Sequence, residues 1–294
     1  MRKKVFLVGC ARSGTTLLQT MLAAHPSICS MPETQFFSVL VGGLKTRMQL
    51  QRYDEGGHIG KLLKAFRLRL GVAYPRNIKA MQRLSEFNDL LGMDEMKVPG
   101  KWNCLFLKDC AREFEDFMDA YAEKSGKEIW VEKSPNHLYY IEEIERYICD
   151  AKFVHIVRRG EDVVASIFDA AQKGSKGNDF SCSISENVDR WNSGIRVTSK
   201  YAGEHNHFVV RYEDLVSDPR VELEKLCDFL GVKNTEGMLD DRLAAASSLI
   251  RSSESWKQGA VEEIESNRPS KFTRVFTDEQ QKYICENLEV RELP

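Results

Sequence analysis

The chain has 294 residues, 42% apolar and 29% charged, and a formal net charge of −2. Such a composition suits a globular protein with a sizeable core, and without a basic excess it argues against a general nucleic-acid binder. No apolar run approaches the ~18–20 residues of a membrane span. Met1-Arg2-Lys3-Lys4 leads into only a short apolar run, Val5–Cys10, before Arg12 interrupts it, so no signal peptide is read and a cytoplasmic location is expected. The eight cysteines are scattered, with no C-x-x-C pair and no zinc spacing, and are read as reduced structural thiols.

In chain order, "VFLVG" at 5–9 reads as a buried strand, and Leu17, Leu18, Met21 and Leu22 then form one helical face. Between 42 and 127 the strand signal fades into a helix-leaning stretch, expected to be an insertion that covers a substrate cleft. Its basic segment "KLLKAFRLRL" at 61–70 puts Leu62, Leu63, Phe66 and Leu70 on one side. That side is read as core-packing, with a membrane surface or a greasy acceptor as the other reading. "EIWVE" (128–132), "KFVHIV" (152–157) and "HFVVRY" (207–212) are further strands.

Helices are expected through Leu138, Ile141, Ile144 and Ile148, and through Val163, Val164, Ile167 and Phe168. Asp218 as N-cap, Pro219 behind it and Gly231 past Leu230 bracket another. Thr277 with Gln280 is a capping box for the last. This alternation predicts an α/β, P-loop-like three-layer fold: a mostly parallel central sheet flanked by helices, in one domain over 1–294 with 42–127 inserted.

Gly9-Cys10-Ala11-Arg12-Ser13-Gly14-Thr15-Thr16 fits G-x-x-x-x-G between a strand and a helix, a turn whose backbone N–H groups cradle phosphate. The lysine that a triphosphate-cleaving site uses is replaced by Thr15, and Arg12 supplies a cation instead. The anion therefore need not be a magnesium–triphosphate.

"RSGTTLL", then "HP" and "PET", resembles the 5′-phosphosulfate loop of sulfotransferases, which use 3′-phosphoadenosine 5′-phosphosulfate (PAPS). "FVHIVRRGEDVVASI" at 153–167 resembles that family's 3′-phosphate element, with Arg158 at the strand end and Ser166 on the helix. An arginine fork and a hydroxyl suit a phosphate dianion. The resemblance extends to "VEKSP" (131–135), "VRYEDL" (210–215), "RSSESWK" (251–257) and "PSKFTR" (269–274), and is greatest to the tyrosylprotein and bacterial tyrosylprotein-like branch.

It implies PAPS as co-substrate, with no metal required, held by Arg12, Ser13, Gly14, Thr15, Thr16, Arg158, Ser166, Tyr212, Ser252 and Lys271. It places the catalytic glutamate at Glu33, a general base whose pKa a cleft would raise, and a lysine at the leaving group, Lys133, aided by Arg12. His137, just beyond "KSPN", is the second candidate base, or else a helix cap; His25 and His155 read as structural.

Two departures stand out: Gln35 replaces an arginine beside the glutamate's Thr, and Ala170 replaces one a turn past Ser166. The acceptor is left open among metabolite, lipid or sugar hydroxyls, an amine and a peptide tyrosine. The competing functions are a P-loop kinase or other NTPase, and a nucleotide-binding protein without turnover.

Overall fold

The structure, a computed structural model, describes residues 2–48, 69–93, 104–175, 180–249 and 270–293. Ser252 and most of the basic 61–70 segment lie outside the described residues. Five strands, Lys3–Gly9 (β1), Ile28–Ser30 (β2), Ile129–Lys133 (β3), Ala151–Val157 (β4) and His207–Arg211 (β5), form a sheet in the order β2-β3-β1-β4-β5. Every pairing is parallel.

The unbroken apolar run of β1 follows from helices covering both faces of the sheet. Val5 and Leu7 pack with Leu18, Met21 and Leu22 of the helix Thr15–Ala23 and with Leu226 of Pro219–Leu230. Phe6 and Val8 turn the other way into an aromatic core, where Phe6 lies 5.4 Å from Trp130 and 5.6 Å from Phe153 between ring centroids. The helices Arg76–Leu90 and Leu107–Lys124 bring Phe87, Phe114 and Phe117 into this same core.

Three elements differ from the sequence expectation. β2 was not anticipated; its three residues pair with β3 from Ile28 opposite Ile129. Tyr212 opens the helix Tyr212–Ser217 instead of ending a strand. The 138–148 pattern begins as a 3-10 helix, Pro135–Tyr140, and becomes α-helical at Ile141–Tyr147, because Pro135 starts a tight turn straight off the strand. The Asp218, Pro219 and Gly231 signals and the Thr277–Gln280 capping box are all realised.

β1 sends its connection to one side of the sheet, towards β2, and β4 sends its own to the other, towards β5. The crevice outside their carboxyl ends is where open α/β sheets bind ligands. Gly9, at that end of β1, passes so close to β4 that a Cβ would stand 2.5 Å from the Ile156 carbonyl oxygen.

Away from this crevice, β4 and β5 carry a buried histidine chain. His155 Nε2 lies 2.9 Å from His207 Nδ1, and His207 Nε2 lies 3.1 Å from Glu145. Burial, helped by His207, pushes His155 down to about 3. Burial also lowers His207, against the pull of Glu145. An unfolded imidazole takes up its proton near pH 6.5, whereas these folded ones take it up only at lower pH, so the unfolded chain binds more protons just below pH 6.5. Unfolding free energy is therefore expected to fall on acidification from pH 6.5, by up to about 1.4 kcal/mol per pH unit through His155, with His207 acting in the same direction. Urea denaturation at stepped pH should show a shallower slope for His155→Gln; an identical slope would contradict the assignment.

Candidate active site

Two clusters of polar side chains lie at the carboxyl ends of the strands flanking β1. The first surrounds the turn. Gly14, at φ 100°, caps the helix Thr15–Ala23 from outside, and Ser13 N–H closes the turn onto the Cys10 carbonyl at 3.2 Å. The first-turn N–H groups of that helix have no intrahelical acceptor and face the crevice with the positive end of the dipole. Arg12 is itself left-handed at φ 73°, a strained setting for a non-glycine residue and one that clusters at functional sites.

Arg12 Nε donates to Ser166 Oγ at 3.1 Å, joining the two sequence-predicted phosphate elements directly. Burial lowers the Arg12 pKa, the neighbouring Arg158 lowers it further, and Asp169 partly restores it. Arg158 stands over the Tyr212 ring, 4.5 Å from its centroid, and its backbone carbonyl accepts from Trp191 Nε1 at 3.0 Å. Among the described residues, Arg158 Nε and Ser13 Oγ are buried without a hydrogen-bond partner. Two guanidiniums crowded beside a helix N-terminus repel one another, and a polyanion between them would remove that repulsion.

Lys271 is held outside this group by Asp169 at 2.8 Å, on the same helix face as Ser166. Burial tends to raise the Asp169 carboxyl, but hydrogen bonds from Lys271 and Lys173 hold it below its ordinary value.

The second cluster sits at the end of β3. Lys133, with 1% of its side chain exposed, is ion-paired to Glu33, whose other oxygen accepts from Gln35 Nε2 at 3.1 Å. Beneath the pair lie Glu132, Thr34 and Ser134, which the sequence reading did not single out, and His137, which it did. Glu132, itself buried, accepts from Thr34 Oγ1 at 2.7 Å and Ser134 Oγ at 2.6 Å. His137 is wholly buried, with Nδ1 2.7 Å from Glu132 and Nε2 accepting the Phe37 N–H at 3.1 Å. The Nδ1 contact is close in distance but not aligned as a linear hydrogen bond. Burial alone would raise the Glu132 carboxyl; the imidazole and the two hydroxyls outweigh it and hold the group below the usual value.

Arg12, Ser13, Gly14, Arg158, Ser166 and Tyr212 thus converge on the β1–β4 side, and Glu33, Lys133 and His137 on the β3 side. Thr15 and Thr16 open the helix after the turn. The sequence signal for Glu132 was slight: a charge ending the apolar run "IWV". Among the described residues no group of His, Cys, Asp and Glu is arranged to hold a metal ion, and no helix is long and apolar enough to cross a membrane.

A sequence profile described as the sulfotransferase family matches residues 4–236. Similar solved structures include the sulfotransferase domain of the Synechococcus PCC 7002 olefin synthase, at 21% identity and TM-score 0.54, covering 97% of this chain and 95% of that one. The sulfotransferase domain from the curacin biosynthetic pathway matches at 21% identity and TM-score 0.54, covering 99% of each chain. Mouse sulfotransferase SULT7A1, complexed with PAP, matches at 13% identity and TM-score 0.50, covering 97% of this chain and 81% of that one. These identities speak to the fold.

A Cβ on Gly14 would come within 2.4 Å of the Tyr212 ring, whereas one on Gly126, also at positive φ, would meet nothing within 4 Å. Gly14→Ala should therefore cost about 1–3 kcal/mol of stability, and more than Gly126→Ala, where left-handed strain acts alone. Equal losses in urea denaturation would show that the approach to Tyr212 is unimportant.

Proposed function

The chain belongs to the sulfotransferase family, and we propose that it transfers a sulfuryl group from PAPS to a hydroxyl or amine acceptor, with Glu33 as general base. The observation that carries this reading is the meeting of Arg12, Arg158 and Ser166 at the N-terminus of the first helix, with the Glu33–Lys133 pair at the end of the adjoining strand. The 5′-phosphosulfate lies against the N–H groups of residues 13–16 and Arg12. The 3′-phosphate takes Arg158 and Ser166, the hydroxyl that Arg12 engages in this structure. Tyr212, packed between Gly14 and Arg158, lies beside the nucleotide, and Lys271 leaves Asp169 to close over it.

In the transfer step the acceptor oxygen or nitrogen attacks sulfur in line. The bond from sulfur to the bridging phosphate oxygen breaks, and the acceptor proton passes to the Glu33 carboxylate. Lys133 and Arg12 neutralise the charge that grows on the departing phosphate, so placement and electrostatics supply the acceleration. Lys133 holds Glu33 until the donor's bridging oxygen competes for the ammonium, which turns the carboxylate to the acceptor. His137 takes no proton in this scheme: it is wholly buried, its Nε2 accepts the Phe37 N–H and its Nδ1 faces Glu132.

The test is transfer of sulfur-labelled PAPS to a panel of phenols, sugars and aliphatic alcohols by wild type and Glu33→Gln. The variant should lose about 10²–10⁴-fold in kcat, as for removal of a general base. Its affinity for 3′-phosphoadenosine 5′-phosphate should stay within a few-fold of wild type. Undiminished kcat in Glu33→Gln would remove the glutamate from the chemistry.

A further inference from the structure

We propose that Glu132, working with Ser134 and His137, is the positioning group of the reaction: a buried polar clamp that fixes the loop carrying Glu33. This inference rests on the reading of Glu33 as the base. In β3, Ile129 and Val131 join the core on one face of the sheet, and Trp130 joins the aromatic core on the other. Strand alternation sends Glu132 to the Trp130 side, opposite Phe6 in the β1 register. An apolar side chain is the ordinary occupant there. A carboxylate with 1% of its surface exposed is costly unless hydrogen bonds satisfy it.

All its partners belong to the loop after Glu33 or to the chain just after β3. Thr34 donates to Oε1 through both its N–H (3.3 Å) and its hydroxyl (2.7 Å), and Ser134 Oγ donates to the same oxygen at 2.6 Å. The following donors of the loop are met in turn: Gln35 N–H by Ser134 Oγ at 2.8 Å, Phe36 N–H by Thr34 Oγ1 at 3.2 Å, and Phe37 N–H by His137 Nε2 at 3.1 Å. Because Nε2 accepts the Phe37 N–H, it is the Nδ1–H of the ring that faces Glu132 Oε2. From outside, Arg83 Nε donates to the Thr34 carbonyl at 3.1 Å.

The network therefore satisfies four consecutive backbone donors, residues 34–37, at the start of the short helix Phe36–Val41. None of this capping uses Glu33. Its carboxylate is left to face Lys133, the residue next to Glu132 on the opposite side of the strand. One strand end thus supplies both the partner of the base and the anchor of its loop.

Three variants test the clamp: Glu132→Gln, and the milder pair Thr34→Val, which fills the same buried space without the hydroxyl, and Thr34→Ser, which keeps the hydroxyl without the methyl. Thr34→Val should lower kcat about 10- to 100-fold, the scale for small misplacement of a catalytic group. Affinity for 3′-phosphoadenosine 5′-phosphate should stay within twofold, and Thr34→Ser should restore the rate. In a Glu33→Gln background Thr34→Val should cost nothing further, because both changes act through one group. Amide hydrogen exchange at Gln35 and Phe37 should speed up in Thr34→Val and Glu132→Gln. A wild-type rate in Thr34→Val, or an equal loss with and without Glu33, would overturn the positioning role. Unchanged exchange over 34–37 would overturn the clamp itself. If Glu33→Gln alone kept full kcat, the base reading would fall by itself, and the exchange measurement would still decide whether Glu132 orders the loop.

Discussion

The ammonium of Lys133 is almost wholly buried at the end of a central strand and needs a counter-charge; Glu33 supplies it. The geometry at the end of β3 follows from this pairing. Removing two charges from water gains little net stability, and replacing such a pair by apolar groups is often neutral or better for folding. What the pair secures is position. It requires the loop after β2 to run across the end of β3, and it holds a carboxylate and an ammonium together where an acceptor and a leaving group would each need one. Gln19 helps set that path from the first helix, donating to both Ser30 Oγ and the Met31 carbonyl at 2.8 Å.

Around the glycine turn the logic is the reverse. There the charges are alike. Arg12 and Arg158 approach one another in a partly buried place, and Asp169, the nearby carboxylate, is already engaged by Lys271 and Lys173. An excess of positive charge beside a helix N-terminus is a receptor for anions. The C-terminal segment helps to frame it. Leu288 closes on Gly160, where an added Cβ would stand 2.8 Å from its methyl carbons, and Asn192 clasps the chain on both sides of Leu288. The Trp191 indole, beside Asn192 on the helix Ile184–Tyr201, holds the Arg158 carbonyl.

Much of this was legible in the sequence, for physical reasons. A strand covered on both faces must be apolar throughout, so β1 and β4 announce themselves. A tight turn before a helix needs glycine where φ is positive, which marks Gly14. The resemblance then joined Arg158 and Ser166 to the turn across more than 140 residues, a distance over which spacing says nothing. β2 escaped because three residues are too few for any periodicity, and only the partner strand defines them. The Glu132 network escaped because a glutamate at a strand's end, beside a lysine, reads as solvated; only the fold brings it Thr34, some hundred residues away. His137 drew attention as a reactive type, but its burial is a tertiary fact.

The central claim is that the crevice is built for a nucleotide bearing both a 5′- and a 3′-phosphate. Calorimetric titration with 3′-phosphoadenosine 5′-phosphate, with ADP and with magnesium–ATP tests it most directly. The account predicts that the bisphosphate binds without metal and at least about tenfold more tightly than ADP, the scale of one charge-assisted hydrogen bond or more to its 3′-phosphate. Equal or tighter binding of ADP or magnesium–ATP would contradict it and would return the turn to the chemistry of nucleoside triphosphates.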